Sequence, residues 1–472
     1  MLQHDQYPSW VGLVYVFNLI VGTGALTLPA AFAGAGWLLS TFLLMLVAFI
    51  SFITVTFVIE SMACANATIQ WKRIQLHKIN ESEVTVDTDS EIDNTTEETA
   101  ILSVNRHHSY YSLNTKVELG EIAALYLNKF GHILLFTSLC VYLFGDLAIY
   151  AAASGKTIVN LSCEVYNDTE NFHVNCWSSY NFTKMEMYRI CVTTFALVVG
   201  PFSYFNVQKT KYLQFITISI RWFAFIVMVT LATIRIITYG PQGHPDLINL
   251  REVPALAGST VYSFMCHHSL PGIIAPISDK QHVTKKVSVD FVLICLFYLF
   301  LSVTGSFAFE TLDVLYSLNF ISENSSVFMK IIGTFLAAFP LFPILTSFPI
   351  IAITLQSNLK FLILDRTYQR PNFLVNRLVF PTMAVVPPVL VALSTHNLKT
   401  LVEVTGTYAG VMVQYIVPTF LVLYARRHCV KNFGSSDQKY ASPFKHKFWL
   451  LFVITWSIIC IIFVTVDLII NK

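Results

Sequence analysis

The chain has 472 residues, 55% hydrophobic and 12% charged, with a formal net charge of +2 and a mean hydropathy of +0.61. A soluble chain carries about a quarter charged residues, and an apolar stretch of about 20 residues is enough to cross a bilayer. A soluble protein is therefore excluded, and the chain reads as an all-α polytopic membrane protein whose partners are the lipid bilayer and a small solute, with no nucleic acid.

From the amino end, residues 1–9 are expected to be cytosolic. No basic n-region or small-residue cleavage site precedes the first apolar run, so that run is expected to persist as an anchor. Apolar runs with polar punctuation predict about eleven spans. The first two lie near 10–33 and 36–63, in a unit of 10–64. Span one contains VFNLIVGTGALTLPAAFAGAGW, which places Gly22, Thr23, Gly24, Pro29, Gly34 and Gly36 inside a crossing. Residues 70–120 are polar, and ESEVTVDTDSEIDNTTEET at 81–99 is acidic and poor in aromatics, the composition of a disordered loop, so 65–131 is expected to be a disordered acidic cytosolic loop. Within that loop, EETAIL (97–102) and YYSL (110–113) resemble peptides that sorting adaptors bind in extended form. The plainer reading of the loop is a solvated linker.

Spans three to five follow near 132–159, 187–206 and 212–239. The third holds YLFGDLAIY, with Asp146 at membrane depth. Between spans three and four lie the sequons of Asn167 and Asn181, together with Cys163 and Cys176, a pair suited to a disulfide on an oxidising side. The second half, 254–424, is expected to hold spans near 255–277, 288–309, 329–357, 374–394 and 400–424, with a third sequon at Asn324. Span six reads LAGSTVYSFMCHHSLPGIIAPI and carries Gly258, Pro271, Gly272 and Pro276. An eleventh span near 447–469 completes the set.

Orientation follows from Lys and Arg. With a cytosolic amino end, the short cytosolic loops hold Lys209 and Lys211, then Lys280, Lys285 and Lys286, then Lys360, Arg366, Arg370 and Arg377, then six from Arg426 to Lys447. The opposite face holds Lys184, Arg189, Arg251, Lys330, Lys399 and Lys472. The positive-inside rule favours this orientation. It also puts Asn167, Asn181 and Asn324 on the glycosylated side, while the sequons at Asn66 and Asn94 fall in the cytosol.

The glycines of span one now have a reading. Non-helical backbone at membrane depth survives where it is buried in protein or lines a cavity. Gly22-Thr23-Gly24 can unwind without Cβ clashes, and Pro29 removes a further helical bond. The second half-helix would then offer free N–H groups and a positive dipole end to a carboxylate. The alternative is a continuous kinked span with glycines for close packing. Span six occupies the same place in the second half. Interrupted spans at corresponding positions of two halves point to a transporter site at the repeat interface, and five spans per half invert the second half.

These stretches resemble the amino acid/auxin permease family. NLIVGTGALTLP (18–29) is similar to its signature, FMCHHSLP (264–271) to its Phe-x-Cys-His motif, LTSFPI (345–350) to its span-eight Leu-Thr motif, and GVMVQYIVPTFLVLY (410–424) to its span-ten pattern. The resemblance implies a five-plus-five inverted repeat of LeuT-like fold with spans one and six broken, plus an eleventh span. It also implies an α-amino acid held with its carboxylate at Val21, Gly22, Thr23, Gly24, Ala25 and Leu26. The amino group would lie near carbonyls of Ser263, Phe264 and His267. Asn18 and Thr346 match residues that contribute to a sodium site in sodium-coupled relatives, and Ser347 adds a neighbouring oxygen. Helix–helix hydrogen bonds are the alternative for both. His268 stands where relatives often carry Pro.

Asp146 is the sharpest intramembrane acid. Ionisable groups at this depth mark proton relays and counter-ions, so it is expected to couple protons or hold the amino group, against a structural pair with Arg221, Arg235 or Lys156. His267 is the family histidine and a candidate proton relay, or else a buried hydrogen-bonded residue. No phosphate loop, His-Glu-x-x-His or Gly-x-Ser-x-Gly motif appears, so no enzyme is expected, and no cofactor beyond a sodium ion as coupling ion. The expected protein is a monomeric secondary active amino acid transporter, sodium- or proton-coupled, in a lysosomal, endosomal or plasma membrane. The competing reading is an amino-acid sensor with little flux.

The orientation has a direct check. A glycosylation tag added after Lys472 should be modified, and an unmodified, cytosol-accessible tail would reverse the topology.

Overall fold

The computed structural model describes residues 6–84, 111–163, 172–177, 180–204, 211–321, 326–363, 375–434 and 438–470. Among them nine helices are long and apolar enough to cross a membrane, and a tenth span is the pair Ser9–Ile20 and Gly24–Ala35, bent by 55° at its break. The sixth expected span is present as two short helices, Val253–Ser263 and Leu270–Ile274, with residues 264–269 unwound between them. Neither piece alone reaches the length of a crossing.

The second half of span one packs along the first half of span six, and the helix of span seven, Val283–Ala308, packs against span one. Small residues permit the closest approach. A Cβ on Gly406 of span ten would meet the carbonyl oxygen of Gly258 at 2.2 Å, and one on Gly258 would meet the Glu403 backbone at 2.7 Å. Gly258, read from the sequence as a sign of the break, therefore serves helix packing within an intact helix. Span ten is wound as a π-helix over Thr405–Gly410 and Met412–Ile416.

Two expectations about the long cytosolic segment change. The helix of span two runs Trp37–Val84, well past residue 64, because Cys64 and Ala67 pack with Ala425 and Cys429 of span ten. Residues 111–126 are also ordered. Leu113 is fully buried, Tyr111 is buried with the cysteine cluster, and Asn66 Nδ2 donates to the carbonyls of Ser112 and Thr115. A helix, Leu119–Tyr126, follows, its start closed by a capping box between Glu118 and Glu121. Tyr111 and Leu113 of YYSL therefore face inward, and Tyr110 lies outside the described residues. EETAIL and the acidic run at 85–99 lie outside the described residues.

On the other face, Cys163 and Cys176 form a disulfide with Cα atoms 4.7 Å apart, next to a hairpin of Asn175–Trp177 and Tyr180–Thr183. Asn181 is exposed on this hairpin, whereas Asn167 and Asn324 lie outside the described residues.

A buried ion pair fastens the ends of spans two and ten that are expected to face the cytosol. Glu60 of span two accepts from Arg426 Nε at 2.8 Å and Nη2 at 2.7 Å, and from the Ser442 amide at 2.9 Å. Its side chain is 2% exposed. Arg426→Met should destabilise the protein by roughly 3–5 kcal/mol in thermal unfolding, because a buried charge loses its partner. Pairing it with Glu60→Gln should recover much of that loss.

Candidate functional site

The break in span one begins where Val21 N donates to Phe17 O and Gly22 N to Ile20 O, both at 2.8 Å. Residues 21–23 leave the helix there. The Tyr298 hydroxyl of span seven lies 2.9 Å from Ile20 O and 3.0 Å from Ser263 O, so one side chain reaches the last carbonyls of both interrupted helices. Neither Gly22 nor Gly24 has a positive φ. Gly24 is needed for close approach: a Cβ there would come within 2.7 Å of Ser263 Cα. A Cβ on Gly22 would meet nothing within 4 Å, because Gly22 faces a cavity.

That cavity, of about 210 Å³, is lined by Asn18, Gly22, Thr23 and Gly24 of span one, Tyr142, Asp146 and Tyr150 of span three, and Arg221 of span five. Tyr262, Met265, His268 and Ser269 of span six and Ser347 and Thr354 of span eight complete it. Asp146 is buried and accepts from the Tyr262 hydroxyl at 2.5 Å. The same hydroxyl lies 3.0 Å from Thr23 Oγ1, so a chain of polar groups joins spans three, six and one. Arg221 turns to backbone instead: its Nη1 donates to Asn18 O at 2.6 Å and Val21 O at 2.8 Å. Arg235 lies over the Phe309 ring, 4.7 Å from its centroid.

The structure sorts the residues expected from sequence. Asn18, Gly22, Thr23, Gly24, Asp146 and Ser347 line the cavity. Val21, Ala25 and Leu26 are buried outside it, and the amides of Val21, Gly22, Ala25 and Leu26 already donate to backbone carbonyls. Among the described residues, the amides of Thr23 and Gly24 have no backbone partner. Phe264 is a core residue, edge-on to Tyr298 at 5.2 Å, and the Ser263 hydroxyl turns back to Ser259 O. His267 is fully buried outside the cavity, with Nε2 2.8 Å from Thr54 Oγ1 of span two. His268 faces the cavity instead, since neighbouring side chains of the unwound segment diverge.

The sodium set is arranged differently from the sequence expectation. Asn18 Nδ2 donates to Val14 O, and Thr346 Oγ1 donates within its own helix, to Pro343 O at 3.0 Å and Phe342 O at 3.3 Å. The carbonyls of Asn18 and Val21, which would complete a cation shell, are held by Arg221. Asn18 Oδ1 keeps its lone pairs with no partner among the described residues, so it is the guanidinium on the two carbonyls, and not the side chains of Asn18 and Thr346, that leaves no fit for a sodium ion.

Sequence reasoning passed over the tyrosines. Tyr142, Asp146 and Tyr150 recur every four residues, a spacing that places them on one face of a helix. That repeat was the available signal.

A second cavity of about 290 Å³ lies on the side assigned to the cytosol. It shares Leu143, His268, Ser269 and Thr354 with the first and is also lined by Lys116, Glu118 and Glu121 of the ordered loop. Toward the outer face, Asn249 bonds the carbonyls of Gly34 and Ala35, and Lys399 pairs with Glu252 at 2.6 Å.

The profile of the family described as Transmembrane amino acid transporter protein matches residues 8–70 and 99–463. The chain belongs to that family. Transmembrane protein 104 of Homo sapiens is 46% identical over 99% of this chain and 98% of its own length. The Transmembrane protein 104 homolog of Drosophila melanogaster is 43% identical over 98% and 97%, and that of Dictyostelium discoideum 33% over 98% of each. The crystal structure of MhsT in complex with L-phenylalanine superposes with a TM-score of 0.54 over 99% of both chains, at 11% identity. At that identity the likeness shows the fold alone, the LeuT-like architecture with broken spans one and six.

The two glycines of the break should separate on substitution. Gly24→Ala should lower the thermal stability of the purified protein, because its Cβ meets backbone. Gly22→Val should leave stability near wild type and weaken amino acid binding, because its side chain enters the cavity. Equal effects in both measurements would contradict this division.

Proposed function

We propose that the chain carries α-amino acids across its membrane as a secondary active transporter, working by alternating access, with Asp146 coupling movement to a proton gradient. The observation that carries this reading is one cavity, set between two helix breaks, that combines amides lacking a backbone partner with a buried carboxyl group. A zwitterion needs both. Its carboxylate suits the amides of Thr23 and Gly24, where the dipole of Gly24–Ala35 is positive. Its ammonium suits Asp146 and the carbonyls of the unwound part of span six. A volume of about 210 Å³ falls below the ~300–1,000 Å³ of common ligand pockets, which favours a single amino acid over a peptide. Family membership supports the same cargo class, as does the bound L-phenylalanine named for the structural neighbour.

The coupling argument rests on what Asp146 touches. Its hydrogen-bond partner is a hydroxyl, which can donate to the carboxylate or accept from the carboxylic acid as the tyrosine rotates. The acid can thus take up a proton without losing its partner. The shared lining of the two cavities gives it a route to the cytosolic side, with the outer side held by Asn249 and the Lys399–Glu252 pair. Sodium coupling is the less supported alternative, because Arg221 already holds the carbonyls of Asn18 and Val21.

A sensor is the second reading, and one observation favours it: Lys116, Glu118 and Glu121 of the long cytosolic segment line the vestibule, so that segment can respond to the state of the site.

Proteoliposomes loaded with labelled amino acids separate the two. Transport predicts accumulation driven by a pH gradient, and Asp146→Asn should remove the gradient dependence while leaving exchange. Binding with negligible flux in the wild type would favour the sensor, and gradient dependence surviving in Asp146→Asn would remove the acid from coupling.

A further inference from the structure

We infer that Arg221 is a built-in replacement for a coupling sodium ion: its guanidinium holds the broken end of span one as a bound monovalent cation would, so the folded site needs no sodium. Interrupted helices commonly coordinate sodium through unwound carbonyls and half-helix C-terminal ends. Here the helix Ser9–Ile20 ends at such a place, with its last carbonyls turned toward span five. Asn18 O and Val21 O each lie within 2.8 Å of Arg221 Nη1. Ile20 O is covered by the Tyr298 hydroxyl and the Gly22 amide. The carbonyl oxygens of Asn18, Ile20 and Val21 thus have protein donors.

The chemistry of the exchange is balanced. A guanidinium brings one positive charge, as sodium does, and sits favourably at the negative end of a helix dipole. It is always protonated and supplies five N–H donors in a fixed fork, so it can bridge two carbonyls with no ion to bind or release. A sodium ion added beside it would face a like charge a few ångströms away, where the repulsion is worth several kcal/mol at the effective dielectric of a protein. Asn18 Oδ1 is buried without a hydrogen-bond partner among the described residues, and Ser347 lines the same cavity. Removing the arginine therefore leaves a polar, carbonyl-rich hole of the kind sodium occupies.

The test uses sodium alone as the probe and needs no transport, so it is independent of whether the protein moves amino acids or senses them. Thermal unfolding of the purified full-length chain is followed in sodium, potassium and choline chloride at equal ionic strength. The wild type should unfold at the same temperature in all three. Arg221→Lys, which keeps the charge, should stay close to it. Arg221→Gln should unfold several degrees lower in choline and regain most of that loss, saturably, in sodium. A saturable sodium effect on the wild type overturns the inference. So does an Arg221→Gln protein indistinguishable from wild type in choline. So does an equal loss in Arg221→Lys and Arg221→Gln with no response to sodium, which would make the side chain a packing element. Should Arg221→Gln fail to fold, the wild-type comparison and Arg221→Lys still decide.

Discussion

A backbone group left unsatisfied in the bilayer core costs several kcal/mol, and the rest of this structure depends on how that cost is met where spans one and six unwind. Glycine does not meet it: Gly22 and Gly24 keep negative φ, and their contribution is space. Of the carbonyls freed at the end of Ser9–Ile20, those of Asn18, Ile20 and Val21 are met by two side chains from neighbouring spans, Arg221 from span five and Tyr298 from span seven. Tyr298 also reaches Ser263 O. The breaks therefore exist because the surrounding helices supply donors at the right depth. The amides of Thr23 and Gly24 keep no backbone partner among the described residues, which is why the proposed site is centred on them.

The two ionisable groups at the cavity are held apart by neutral partners. Asp146 meets a tyrosine hydroxyl and Arg221 meets backbone carbonyls. A direct pair between them would be worth roughly 4 kcal/mol at 4 Å with an effective dielectric of 20, and an incoming ammonium would have to break it. Hydrogen bonds to neutral groups are worth about 1–3 kcal/mol. Asp146 stays exchangeable on the scale of binding a small solute, while Arg221, with two carbonyls in its grip, stays in place.

The sequence made the broad design legible. Apolar runs placed the spans to within a few residues at most ends, and Gly22-Thr23-Gly24 marked the break in span one. It misled where a local pattern had two physical uses. Gly258 looked like a helix breaker and is a packing contact; the break in span six falls at 264–269, which contains no glycine or proline. The choice between His267 and His268 turns on the path of six unwound residues, which no periodicity encodes. Polarity marked 70–120 as solvent-facing, yet Leu113 and Leu119 are buried, because the adjoining ends of spans two, three and ten offer an apolar surface for them. Arg221 was visible only as a possible partner for Asp146, since a backbone carbonyl leaves no trace in a sequence.

The halves Ser9–Ile20 and Leu270–Ile274 of the two broken spans are also fastened to each other. Tyr7 N bonds Pro276 O, Ser278 N bonds Tyr7 O, and the Tyr7 hydroxyl bonds Ile273 O. Ser9 Oγ donates to Asp279 O, and Lys286 bridges Ser9 and Asp279. A Cβ on Gly12 would strike Ile277 at 2.7 Å, so the two half-helices also touch closely. Separating them would break several bonds at once, each worth about 1 kcal/mol net, so they tilt together more cheaply than apart. A joint rotation, as alternating access on the proposed reading requires, would be absorbed where regular helix bonds are missing, at residues 21–23 and 264–269. Those junctions also border the cavity that holds Asp146, Thr23 and Tyr262. On the proposed reading, a solute bound there would touch the atoms that move, so its affinity would differ between tilted and untilted states. That difference is the free energy by which binding can shift the equilibrium between them.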